Sequence, residues 1–241
     1  MDANLTITQN TYSDNWTGGE SGALSWTFNS NSLAEKQLSE KVFNKNTMKL
    51  FFGQTHNQLK ETKIWAKPVK NTDLIDLESV FRFSIGGYVE PFAAARLESQ
   101  FLDGGDPINE RYVNPLKLTE SFGITRVFIK EEKREWIIRL GGGLRQHINR
   151  SVLDPLTGTK ETVKSYDSGI VLDNEFKTTF SEGLISYSSK FTLFQALQNS
   201  KADDLKGMPN EKYWKSPDIN WENIFTANIA KYLMVNLYVQ F

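Results

Sequence analysis

Two histidines, His56 and His147, are the side chains of this 241-residue chain best suited to proton transfer near neutrality. Hydrolysis of the acyl-transfer kind needs more: a serine nucleophile, a histidine base and a carboxylate or amide that orients the base. Ser151 lies four residues after His147, and Asn57 follows His56. Neither neighbourhood sets a histidine and a serine close together on a surface that would meet lipid. No catalytic residue is therefore assigned, the chain is not expected to be an enzyme, and His147 is read as a hydrogen-bonding residue of a polar interior. With no cysteine and only two scattered histidines, an ordinary zinc site has no ligand set. The stretch FLDGGDPINE offers Asp103, Asp106 and Glu110 as oxygen ligands for calcium, but their spacing is not that of an EF-hand. A solvated turn is the simpler reading, so no metal and no cofactor is expected. The triple glycine Gly141 to Gly143 sits inside a strand-like run, where glycine marks a bend or a crowded contact and not a phosphate loop.

The charges carry a clearer pattern. In EWIIRLGGGLRQHIN, Trp136, Ile138, Leu140, Leu144 and Ile148 share one face, and Arg139, Arg145 and His147 fall on the other. The same alternation puts Asp76, Glu78 and Arg82 opposite Ile75, Leu77, Phe81 and Phe83, and Arg96 and Glu98 opposite Ala93, Ala95 and Leu97. It also puts Asp173, Glu175 and Lys177 opposite Ile170, Leu172 and Phe176. Side chains alternate across a strand with period two. These eleven polar residues, Asp76, Glu78, Arg82, Arg96, Glu98, Arg139, Arg145, His147, Asp173, Glu175 and Lys177, are thus expected to face one common interior. Both signs are present, so they are expected to pair across it.

The elements that would hold such an interior are strands. Period two runs through most of the chain, and no 3.6-residue pattern lasts long enough for a helix. Strands are expected near 3–10, 20–32, 46–57, 72–84, 88–101, 116–130, 135–149, 164–180, 184–198, 217–229 and 233–241. Several reach the roughly 9–11 residues that a tilted strand needs to cross a bilayer. Short links near 86–87, 131–134, 181–183 and 230–232 alternate with long polar ones at 58–71, 102–115, 150–163 and 199–216; only 33–45 breaks the rule, as a longer link on the short side. Short turns on the periplasmic side and long loops outside are the habit of transmembrane barrels. In lipid, only a closed sheet satisfies every backbone group of a β protein. The expected fold is therefore all-β, an antiparallel transmembrane β-barrel of about twelve strands in one domain, 1–241, eleven of them visible. That polarity leaves Phe241 at the outer rim, and because bacterial barrels have even strand counts, a final loop and twelfth strand are expected to be missing.

Composition sets outer bounds. Lys plus Arg number 28 against 29 Asp plus Glu, a net charge of −1, which gives no basis for a nucleic-acid partner. No apolar run approaches the ~18 residues of a spanning helix, and the chain opens on strand-like sequence without a secretory leader. Aromatics at strand ends, Trp136, Tyr166, Tyr187, Trp221, Phe101 and Phe128, suit interfacial girdles. Trp65 and Trp214, each in a long loop, are the partner-contact candidates.

The stretches NWTGGESGALSW, KNTDLIDLES, ESQFLDG, NPLKLTESFGI and WENIFTANIAKYLMVNLYVQF, in this order, resemble an outer-membrane β-barrel family of Bacteroidota that carries no assigned function. The resemblance implies a bacterial outer-membrane location and a barrel fold, and it transfers no active-site residues. In that family the segment like KYLMVNLYVQF is followed by a further loop and last strand. The expected role is a narrow passive pore or a structural or docking component of the envelope, with outer-membrane lipid and other envelope proteins as partners. Two alternatives stand beside it: a soluble β-barrel that binds an apolar ligand, with its apolar faces turned inward, and an outer-membrane lipid-modifying enzyme.

Overall fold

A computed structural model of the chain describes residues 1–13, 21–105, 110–153, 157–230 and 233–241. Among these described residues are thirteen strands: β1 (Asp2–Asn10), β2 (Ala23–Ser39), β3 (Val42–Asn57), β4 (Val69–Phe83), β5 (Glu90–Ser99), β6 (Leu102–Asp103), β7 (Arg111–Tyr112), β8 (Leu116–Lys130), β9 (Arg134–Leu153), β10 (Lys160–Phe180), β11 (Ile185–Asn199), β12 (Asp218–Ala230) and β13 (Leu233–Gln240). Two 3-10 turns, Ser181–Gly183 and Tyr213–Lys215, are the only helical pieces among the described residues.

Eleven strands make one sheet in the order β1-β2-β3-β4-β5-β8-β9-β10-β11-β12-β13, each antiparallel to the next. β6 and β7 form a small hairpin within the connection from β5 to β8. Sequential neighbours throughout make this an up-and-down meander, the topology that short turns between alternating strands favour. The register keeps like with like: Leu97 sits between Leu77 and Leu118, whereas Arg96 sits between Glu78 and Thr119. A slip of one residue would turn every charge in a strand to the apolar side.

One expectation needs correction. Residues 33–45 are not a long link: β2 runs to Ser39 and β3 starts at Val42, so a tight turn joins two long strands. The stretch LAEKQLSEKVFN is too polar to show a greasy face, and its strands are recognisable only through their pairing, Lys36 with Asn44 and Glu35 with Lys45. Likewise 150–163 is mostly strand, since β9 reaches Leu153 and β10 begins at Lys160.

The sheet curls. β3 and β10 are five strand spacings apart, which in a flat sheet would be about 24 Å. Yet Lys45 Nζ on β3 lies 2.5 Å from Glu175 Oε2 on β10. Lys190 on β11 likewise lies 2.8 Å from Glu78 on β4. The sheet must wrap round until these strands face one another. Its hydrogen-bonded ladder does not close, because β1 pairs only with β2 and β13 only with β12 among the described residues.

Burial is inverted relative to a water-soluble barrel. Large apolar side chains cover the outer face, with Phe122 69 % and Leu144 52 % exposed. The inner face is charged, with a small apolar floor where Val171, Phe194 and Ala196 pack together. Glycine makes room for it: a Cβ on Gly143 would lie 2.5 Å from Val171 Cγ2, and one on Gly123 only 2.2 Å from the Leu140 carbonyl oxygen. Gly141 and Gly143 of the run are thus crowded contacts inside a strand, whereas a Cβ on Gly142 would meet only Phe122 Cζ at 3.9 Å.

Candidate functional site: a charged interior

By register the eleven residues expected to share an interior lie on one face of the curled sheet, and each has a partner of opposite charge. They fall into three groups along the interior. At its centre Arg139, whose side chain is only 5 % exposed, donates from Nη2 to Glu78 at 3.0 Å and from Nε to Asp173 at 3.3 Å, and its Nη2 also lies 3.3 Å from Glu175. Lys190 closes on Glu78 and Lys45 on Glu175, so this knot joins β3, β4, β9, β10 and β11.

Toward the long connections, Arg96 grips Asp76 through Nε and Nη2 at 2.9 and 2.8 Å, the two-pronged geometry that a guanidinium is built for. Its neighbour Glu98 takes Lys117 at 3.1 Å. Arg145 pairs with Asp218, and its guanidinium lies 3.7 Å from the centre of the Phe194 ring. His147 faces Asp167 at 3.4 Å, and Asn199 donates to the same carboxylate. No hydrogen bond joins His147 to a serine among the described residues. Toward the short turns, Arg82 meets Glu90 at 3.0 Å and Lys177 meets Glu135 at 3.9 Å.

Several members of this interior escaped the sequence reading. Lys45 was hidden because its segment looked like a link. Lys49, which reaches Glu222 at 2.6 Å, together with Lys117 and Asp218, showed the right parity but no sign of its partner. Parity fixes a face; only the curl decides which charges meet.

The described part of the connection between β5 and β8 is well organised. Asn114, 1 % exposed, donates to Asp103 Oδ2 and to Asn149 Oδ1, each at 2.7 Å, and accepts the Arg150 N–H. Burial alone would raise the Asp103 carboxyl, but the Asn114 amide, the Gly105 N–H and the Arg111 guanidinium outweigh it and hold it below the usual aspartate value. Of the three calcium candidates, Asp103 is therefore engaged by Arg111 at 2.7 Å and Glu110 by Lys67 at 2.9 Å, and Asp106 lies outside the described residues. The hydrogen bond from Lys67 lowers the Glu110 carboxyl. Of the two loop tryptophans, Trp214 packs against the Val171, Phe194 and Ala196 cluster, which leaves Trp65 as the more outward-facing one.

An all-β antiparallel meander with a paired-charge interior and an apolar exterior is the class that these features define. A family model described as a protein of unknown function (DUF3078) matches residues 7–104, from within β1 to just beyond β6. No curated protein matches the chain. No solved structure matches it either.

Proposed function

We propose that the chain forms a transmembrane β-barrel of the bacterial outer membrane, of the Bacteroidota kind that its sequence resembles, and serves there as a structural or docking component with an occluded lumen. The observation that carries this reading is the inversion of burial: charges of opposite sign pair across the interior while large apolar side chains face out. A soluble barrel holding an apolar ligand would need the reverse. An outward aromatic row adds support. Phe128 stacks on Trp136 at 4.7 Å, Phe176 lies 6.2 Å from Tyr187, and Tyr187 stacks on Phe225 at 4.5 Å, all toward the strand ends with short connections. Such a row suits a membrane interface.

A closed ladder is part of this proposal. Eleven antiparallel strands leave β1 and β13 running the same way, so one more strand, antiparallel to both, completes the ladder and the even count of bacterial barrels. The knot of Glu78, Arg139, Asp173, Glu175, Lys45 and Lys190 crosses the interior, which favours occlusion over a passive pore. This reading assigns the chain no catalysis and no cofactor.

Two measurements test it. Membranes from producing cells, washed with carbonate, should retain the protein until detergent is added; release by carbonate refutes the membrane reading. In planar bilayers the purified protein should show no steady ion conductance, whereas a stable open level would make it a passive pore.

A further inference from the structure

Beyond the ion-pair knot lies a cavity of about 250 Å3 within the interior. Its floor includes Glu78 and Asp173 of the knot, and its walls include Arg96, Glu98, Lys117 and Asp218. Its mouth is toward the long connections, where Asp218 opens β12 with its side chain 63 % exposed. The interior on this side of the knot is thus a partly open cup.

We propose that this cup binds a neutral, polyhydroxylated molecule of monosaccharide size. The proposal rests on the charged interior of the barrel reading and not on its place in a membrane. Size is the first constraint, since the volume falls below the roughly 300–1,000 Å3 of sites for drug-sized ligands. Charge is the second. Each of the six lining carboxylates, Asp76, Glu78, Glu98, Asp173, Asp218 and Glu222, is already held by an arginine or lysine of the chain. An added cation would have to displace one of these partners, and an added anion would meet six carboxylates against three lining cations, Arg96, Lys117 and Arg145.

A neutral ligand disturbs none of the pairs. A carboxylate offers about four acceptor positions and an ammonium three donors. Among the described residues Lys117 pairs with Glu98 alone, so it retains donors for ligand oxygens, and the partly exposed Glu98 and Asp218 retain lone pairs for ligand hydroxyls. Spare donors on Lys117 beside spare acceptors on Glu98 and Asp218 suit a ring of hydroxyls, because each hydroxyl both gives and takes a hydrogen bond.

The test is titration of the full chain in detergent with D-glucose and D-galactose, followed by calorimetry and saturation-transfer NMR up to tens of millimolar. D-glucuronate and D-glucosamine serve as charged analogues of equal size. Saturable binding of a neutral hexose, weaker binding of both charged analogues, an approximately five- to tenfold loss in Lys117→Met and abolition in Ala94→Leu, which fills the cavity wall, are the expected results. Near-ultraviolet circular dichroism establishes that both variants are folded. No saturable binding by either hexose, tighter binding of either charged analogue, or unchanged binding in folded Ala94→Leu each overturns the proposal. Carbonate extraction reports separately on the membrane reading, so the two can fail independently.

Discussion

Removing the Glu78 carboxylate should cost the protein a large part of its stability, and the structure allows the size to be worked out. Glu78 is 9 % exposed and takes Arg139 at 3.0 Å and Lys190 at 2.8 Å. Breaking a buried pair by deleting one member typically costs about 3–5 kcal/mol, because the other is left buried and uncompensated. Here the two cations are stranded unequally. Arg139 keeps Asp173 and Glu175, and Lys190 loses its salt bridge but keeps the attraction of Glu175, its neighbour across the β10–β11 ladder. The expected loss for Glu78→Ala is therefore near the lower end, about 3 kcal/mol. A paired replacement, Glu78→Met with Lys190→Met, removes both charges and should recover most of it, since an apolar pair of similar volume commonly matches a buried ion pair. Reversible urea unfolding in lipid vesicles, followed by tryptophan fluorescence, reads these differences as shifts in midpoint. A single-variant loss below about 1 kcal/mol, the level of an exposed pair, would refute the buried-knot reasoning. So would a double variant no better than the single one. The same single variant, reconstituted in planar bilayers, should gain intermittent conductance that the parent lacks, because the crosspiece between β4 and β11 is gone.

Three further outcomes follow from named contacts. Leu144→Arg places a charge on the outer face and should lower membrane stability by up to about 2–4 kcal/mol if its depth is near the midplane; an unchanged urea midpoint in vesicles would argue that this face does not meet lipid. Gly123→Val should abolish refolding into vesicles, because its Cβ would lie 2.2 Å from the Leu140 carbonyl oxygen and no side-chain motion relieves a backbone clash; normal refolding would contradict the close approach of β8 and β9. The depressed Asp103 carboxyl stabilises its loop fully above the ordinary unfolded aspartate value of about 3.9. That contribution is lost as pH falls through the lower folded value, so exchange of the Gly105 and Arg150 amides should quicken only in acid. Asp103→Asn should remove this acid-dependent step, and an unaltered pH profile in that variant would place the titration elsewhere.

The sidedness of this fold was legible because period two is a local property. Arg139, Arg145 and His147 declare their shared face within one strand, and β9 does present them to the interior opposite an exposed Leu144. What a linear reading lacks is the offset between distant strands. Nothing in the sequence near Glu78 says that it will meet Lys190, 112 residues away, instead of another inward lysine. That choice is set by how far the sheet curls and how its strands are staggered, which are properties of the whole ladder. The failure at 33–45 has a different cause. Polar residues there mask the period, so the strands are held by pairing with neighbours more than by an apolar face of their own, and Lys45 went unseen with them. Yet Lys45 is one arm of the knot, 2.5 Å from Glu175. The least strand-like stretch of sequence therefore supplies a lysine that spans the interior to Glu175, and a Lys45→Met variant should weaken the knot while leaving the β2 to β3 turn intact.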